Sequence, residues 1–250
     1  MDSNRLIQVK GLSKKFQGHD VLKGLDLEVY AGEVLAIMGS SGAGKSVLLK
    51  HMAGLMTPDV GSIFFKDKDI VQLSETKLNE IRLRFGMVFQ FGALFNSMTV
   101  GENVALALRY HHLEDKDAIE QIVRDRLEEV NLLGSVHKLP GELSGGMKKR
   151  ASLARALALE PDVIFYDEPT TGLDPVMCEN IEELIRDTNR KRGVTSVVVT
   201  HDVALAFGIG SRIAMLHEGK IHAVDTPEGF ERSESEIVKQ FLKRAQRQRT

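Results

Sequence analysis

Leu25-Asp26-Leu27-Glu28-Val29 alternates apolar and polar residues, the pattern of a strand buried on one face. Ile7 and Val9 carry the same pattern nearer the start. Val34-Leu35-Ala36-Ile37-Met38 does not alternate; it is apolar throughout, as are Val163-Ile164-Phe165-Tyr166, Val197-Val198-Val199 and Ile213-Ala214-Met215-Leu216. Short runs of this kind, each near a polar loop and a helical pattern, predict parallel strands covered on both faces. Helical spacing appears at Ile119, Ile122, Val123, Leu127 and Val130, and again at Ile181, Leu184, Ile185 and Thr188. The pattern predicts an α/β core, a small antiparallel sheet near the start and a mostly helical insert over 91–156. The stretch 231–250 reads as polar and then basic.

Composition narrows the class. The chain has 250 residues, enough to bury a core of its own. Its 33 Lys and Arg against 35 Asp and Glu leave a net charge of −2, so nothing global draws it to nucleic acid. A single cysteine, Cys178, forms no intramolecular disulfide, which points to a reducing compartment. No apolar run approaches the roughly 20 residues that span a bilayer, and Met1-Asp2-Ser3-Asn4-Arg5 lacks the apolar stretch of a signal peptide. These features predict a soluble intracellular chain. The 8 histidines are scattered, without metal-ligand pairing.

Two segments carry chemistry. Gly39-Ser40-Ser41-Gly42-Ala43-Gly44-Lys45-Ser46 fits G-x-x-x-x-G-K-[ST] at every fixed position. An apolar strand precedes it. A helical pattern follows through Leu48, Leu49, Met52 and Leu55, with Pro58 as the expected stop. The glycines let successive backbone N–H groups, through Val47, curl around a phosphate at a helix N-terminus. Lys45 would reach the β- and γ-phosphates and Ser46 would ligate Mg²⁺. The second segment is the apolar strand ending in Asp167-Glu168-Pro169, and strand ends of open α/β sheets are where ligands bind. Asp167 suits the surroundings of Mg²⁺, and Glu168 a base for the water attacking the γ-phosphate. Seen alone, the pair reads as two solvated loop acids; the phosphate loop reverses that.

Phosphate loops occur in many enzymes, and Leu143-Ser144-Gly145-Gly146-Met147 narrows the choice. It resembles the signature motif of ATP-binding cassette (ABC) ATPases. Gly172-Leu173-Asp174 resembles that family's D-loop, Thr200-His201-Asp202 its switch histidine, Val88-Phe89-Gln90 its Q-loop, and Phe16 stands where the family places an aromatic under adenine. The motifs keep the family's order over about 5–228. Plainer readings remain: Ser144 and Asp174 are good helix N-caps, His201 suits a turn and Phe16 suits a core. One departure is Met147, where the commonest signature has Gln; Met makes no amide hydrogen bond, but the amides of Gly145 and Gly146 are unaffected. With Phe89–Phe95 and Ala154–Pro161, it makes the chain resemble the Mla-type, MCE-associated phospholipid transport ATPases.

The resemblance implies a P-loop NTPase fold: a RecA-like core over about 5–89 and 157–228, a small antiparallel β subdomain, a helical signature subdomain over about 91–156, and a tail over 229–250. It implies ATP and Mg²⁺, with Ser46, Gln90 and Asp167 toward the metal and Lys45, Gln90, Glu168 and His201 around the attacking water. It also implies a head-to-tail homodimer in which each ATP touches Lys45 and Ser46 of one copy and Ser144 and Gly146 of the other, with Asp174 at the dimer contact. The implied partners are an integral-membrane permease, an MCE-type substrate-binding protein and a small STAS-like protein, at the cytoplasmic side of an inner membrane. Phe91–Phe95 and Met98–Val100 read either as insert core or as a groove for a helix of the membrane partner. The basic residues Lys239, Lys243, Arg244, Arg247 and Arg249 read as a solvated tail, or as a contact with acidic lipid or the other subunit. Two other function classes stay open, a soluble ABC ATPase and a phosphate-loop kinase, which has no use for Leu143–Met147; within the transporter reading, import of an ion or amino acid is the runner-up.

Overall fold

The computed structural model describes residues 4–111 and 115–247. Strands β1 (Arg5–Phe16) and β2 (His19–Tyr30) pair antiparallel. After β3 (Val34–Met38) and α1 (Lys45–Met52), β4 (Val60–Phe65) and β5 (Lys68–Asp69) complete a four-stranded sheet of order β2-β1-β4-β5. The chain continues through α2 (Glu75–Arg82), β6 (Phe85–Val88), α3 (Val100–Tyr110), α4 (Lys116–Glu129), α5 (Gly145–Leu157), β7 (Val163–Asp167), α6 (Pro175–Arg192) and β8 (Thr195–Thr200). It closes with α7 (Val203–Ile209), β9 (Arg212–His217), β10 (Lys220–Asp225), α8 (Pro227–Glu231) and α9 (Glu236–Arg247). The second sheet has the order β10-β9-β3-β8-β7-β6, with β9 through β6 parallel and β10 antiparallel at one edge. This is a P-loop NTPase arrangement.

The continuous apolar runs are explained by buried clusters on both faces of the parallel sheet. Val163, Phe165, Val197 and Val199 point into a layer shared with Leu12, Leu22, Leu25 and Val29 of the antiparallel sheet and Leu48 and Leu49 of α1. Ile164, Tyr166 and Val198, one residue out of phase, point the other way, toward α3, α4, α5 and α6. Each strand residue is therefore buried whichever way it faces, and each large aliphatic contributes about 1.5–3 kcal/mol of burial. β2, covered on one face only, alternates: Leu25, Leu27 and Val29 are buried and Asp26 is exposed.

Three expectations change. The helix after the phosphate loop ends at Met52, ahead of Leu55 and Pro58. Gly54 takes a left-handed φ of 66°, and the Leu55 N–H closes back on the Lys50 carbonyl at 2.8 Å, a helix stop that needs no proline. Residues 91–99 are irregular, and the helices of the insert begin at Val100 under a Thr99 capping box. Finally, the boundary drawn at 228 is not a packing boundary. Phe230 of α8 and Val238 of α9 are buried against Ala36, Met38, Ile213 and Met215, with Ile237, Phe241 and Leu242 packed around them. The segment 229–243 is thus part of the core, because its apolar residues fall on one helical face. Lys239 pairs with Glu236 at 3.5 Å; the side chains of Arg244 and Arg247, and all of Arg249, lie outside the described residues. Among the described residues no helix is long and apolar enough to cross a membrane.

Candidate active site

The phosphate loop joins the end of β3 to α1. Its first residue, Gly39, passes so close to β9 that a Cβ there would collide with the Leu216 carbonyl oxygen. Gly44 is the N-cap of α1 and has no side chain to cap it. The first bond of the helix ladder runs from Leu48 N–H to the Gly44 carbonyl at 2.8 Å, so the amides of Lys45, Ser46 and Val47 lie ahead of it. By contrast, α3 through α7 all have side-chain caps. An uncapped helix start behind a glycine loop is an anion cradle.

The sheet order places three groups side by side, since β3, β8 and β7 are neighbours and each ends at the same edge. Lys45 is buried, and its Nζ donates to the carbonyls of Gly39 at 2.9 Å and Ser40 at 3.1 Å and pairs with Glu168 Oε1 at 3.4 Å. Glu168 follows β7 with a left-handed φ of 49°, a costly conformation for a residue with a Cβ. Its Oε2 meets His201 Nδ1 at 2.7 Å and Thr171 Oγ1 at 3.4 Å. With Glu168 ionised, His201 Nδ1 is the donor, and the imidazole is half exposed.

Ser46 Oγ donates to Asp167 Oδ1 at 2.6 Å. Gln90, just beyond β6, lines a cleft of about 390 Å³ together with Asp167, Phe91 and Lys148. A hydroxyl, a carboxylate and an amide oxygen are the hard donors that Mg²⁺ takes. Among the described residues no group of three or more His, Cys, Asp or Glu stands close enough to hold an ion unaided. The donor set therefore fits a metal that completes its shell with phosphate oxygens and water.

Ser144, Gly145, Gly146 and Asp174 form a second group. Ser144 caps α5 by accepting from Met147 N–H at 3.3 Å, and Asp174 caps α6 by accepting from Met177 N–H at 2.9 Å, with Pro175 in the first helical position. A Cβ on Gly146 would lie 3.0 Å from Met177 Sδ, so the two helix starts are packed together. The cap reading of both residues holds. Among the described residues no hydrogen bond or ion pair joins this group, or Phe16, to the residues around Lys45. Phe16 is 40% exposed at the end of β1, with Lys14 Nζ 5.7 Å from its ring centre.

One residue at the site was missed from the sequence. Lys149 of α5 is buried, and its Nζ donates to the backbone carbonyl of Gln90 and, at 3.3 Å, to that of Glu168. Desolvation pulls its pKa below the ordinary lysine range, while Asp167 and Glu168 push it back up. The signal was its position: Gly146, Lys149, Leu153 and Leu157 share the buried face of one helix.

A sequence model described as ABC transporter matches residues 22–171. This chain belongs to the ABC transporter ATP-binding family. As an ABC ATPase it binds and hydrolyses ATP. The cassette is 43% identical over 241 residues to the intermembrane phospholipid transport system ATP-binding protein MlaF of Haemophilus influenzae, covering 96% of this chain and 91% of that one. It is also 43% identical over 236 residues to a probable ribonucleotide transport ATP-binding protein, Mkl, of Mycobacterium leprae, covering 94% of this chain and 68% of that protein. A solved dimeric ATP-binding cassette in a post-hydrolysis state with ADP and phosphate superimposes with a TM-score of 0.82 at 31% identity, covering 89% of this chain and 99% of that one.

Proposed function

We propose that this ABC ATPase energises phospholipid transport between the inner and outer membranes of a Gram-negative bacterium, maintaining outer-membrane lipid asymmetry. The observation that carries this reading is the 43% identity extending over 91% of the length of an intermembrane phospholipid transport ATPase. The ribonucleotide-transport relative, identical to the same degree, favours a second reading, transport of another substrate.

In this reading the amides from Gly39 through Val47, with Ser40, Ser41, Gly42 and Ala43 shaping the loop, cradle the phosphates, and Phe16 stacks under adenine. Lys45 turns from the Gly39 and Ser40 carbonyls to the β- and γ-phosphates. Ser46, Asp167 and Gln90 would hold Mg²⁺, which when bound would neutralise charge building on the transferred phosphoryl group. Glu168 accepts a proton from the in-line water, and His201 turns its imidazole N–H from that carboxylate to the γ-phosphate when ATP is bound. Two copies assemble head to tail, Ser144, Gly145 and Gly146 of one closing on the ATP held by the other, with Asp174 at the dimer contact. The γ-phosphate bridges both surfaces, and its hydrolysis removes the bridge.

The motion passes to an integral-membrane permease working with an MCE-type substrate-binding protein and a STAS-like protein, with the ATPase on the cytoplasmic side of the inner membrane. Phe91 and Phe95, 82% and 51% exposed beside Gln90, offer an apolar surface for a helix of the permease. The helical subdomain is supplied by α3, α4 and α5.

Glu168→Gln tests the site. It keeps ATP binding, lowers turnover by about 100-fold or more and accumulates ATP-bound dimers on gel filtration. Near wild-type hydrolysis would remove Glu168 from its role. Co-purification with membrane proteins followed by lipid mass analysis tests the substrate; a bound nucleobase-containing solute without phospholipid would favour the second reading.

A further inference from the structure

Lys149 is the buried ammonium for which the cycle above has no task. It stands on α5 a little over one turn beyond Ser144, and its side chain is 6% exposed. Both carbonyls it holds belong to residues assigned to the reaction, Gln90 and Glu168. One of them, Glu168, has a left-handed backbone, so the direction of its carbonyl and of its side chain are fixed together. Desolvating an ammonium is costly unless its donors are used, and an apolar residue of similar length would fill the same space without that cost. Filling space therefore does not account for a lysine here; gripping the two carbonyls does.

We infer that Lys149 is a positioning residue that ties the Ser144–Gly146 end of α5 to Gln90 and Glu168, so that closure of α5 on one nucleotide sets the carboxylate that acts on the other. The inference rests on the dimer reading above. Over the distance from Gly146 to Lys149 a helix is stiff, about 1.5 Å per residue along its axis, and a shift at its N-terminus is carried to the ammonium. Nζ hands that shift to two backbone segments at once: the joint beyond β6 and the strained turn beyond β7. Within one chain, the surface that clamps the partner's ATP and the base for its own ATP are then mechanically linked. Two sites joined in this way fire in a coupled manner.

The test uses the full chain with Lys149→Met, Lys149→Arg and Lys149→Gln, measuring Mg-ATP affinity with a fluorescent nucleotide and steady-state hydrolysis across ATP concentration. For Lys149→Met the expected result is an ATP Kd within about threefold of wild type, kcat lower by about tenfold or more, and a Hill coefficient reduced to about 1. Lys149→Arg, which keeps the charge and several donors, restores most of kcat and of the cooperativity. If Lys149→Met does not fold, Lys149→Gln is judged by the same split between affinity and turnover. Unchanged kcat and Hill coefficient would overturn the inference; so would affinity and turnover falling in proportion, the outcome of a packing role. Glu168→Gln run in parallel separates the two levels. An inactive Glu168→Gln beside a normal Lys149→Met refutes only the coupling, whereas an active Glu168→Gln refutes the site reading beneath it.

Discussion

Replacing Phe230 with alanine measures whether the C-terminal segment belongs to the folded unit. Phe230 is 1% exposed and lies in a cluster with Met38, Met215 and Val238. A buried phenylalanine withdraws roughly 150–200 Å² from water, which at about 25 cal/mol per Å² gives ~4–5 kcal/mol as an upper bound. Alanine keeps a little of that, and the cavity relaxes in part, so the expected loss is about 3–4 kcal/mol. For a chain of this size that lowers Tm by roughly 6–16 °C. Equilibrium urea unfolding gives the energy directly, and an unchanged m-value would show that the same surface is exposed on unfolding. Gln240→Ala, on the exposed side of α9, serves as the control and should stay within about 0.5 kcal/mol of wild type. A loss below about 1 kcal/mol for Phe230→Ala would show that α8 and α9 unfold independently of the cassette, and the reasoning would fail.

Other outcomes follow from single contacts. Asp162 takes the Arg84 guanidinium at 2.9 and 2.7 Å and Lys66 at 3.1 Å, and Arg84 holds its carboxyl below the usual aspartate range of 3.8 against the opposing effect of burial. Asp162→Asn should cost about 1 kcal/mol at pH 7 in chemical denaturation, with the gap closing as pH falls below about 3.8 and both forms become neutral. Burial holds the His51 imidazole below the usual histidine range of 6.5; the Val47 carbonyl, 2.7 Å from Nδ1, and Asp59 oppose this, while Lys14 adds to it. The unfolded chain therefore gains its proton first, so wild-type Tm should drop as pH falls from about 7 to 5.5, and His51→Asn, which keeps a donor to Val47, should flatten that slope. Phe95→Asp should leave basal hydrolysis intact and abolish transport in reconstituted vesicles with the membrane partner; unchanged transport and assembly would count against the apolar surface.

Much of the fold was legible because burial on both faces leaves an unbroken apolar run: β3, β7, β8 and β9 are visible in that way, and β2 by its alternation. The phosphate loop and the Asp167-Glu168 pair were legible from spacing, and the sheet order explains why distant segments converge on one edge. Helix α9 was not legible: Ile237, Val238, Phe241 and Leu242 are diluted by Glu, Lys and Gln, so mean polarity hid a one-sided stripe. The end of α1 was misplaced because proline is the louder stop signal, while the chain used Gly54. Lys149 was overlooked because a run of three basic residues reads as a solvated face; only helical phase separates the inward one from its neighbours.

The sheet order β10-β9-β3-β8-β7-β6 also gives the four groups proposed to act on ATP unequal freedom. The strands behind Lys45, Glu168 and His201 are hydrogen-bonded on both sides and form an anvil. Gln90 alone extends from a border strand, β6, which is laced to β7 on one side and lies against α5, where Gly86 meets Ala156. A push on the helical layer therefore tilts this outermost strand like a lever, while the central strands hold still and only the turn beyond β7, gripped by Lys149, follows.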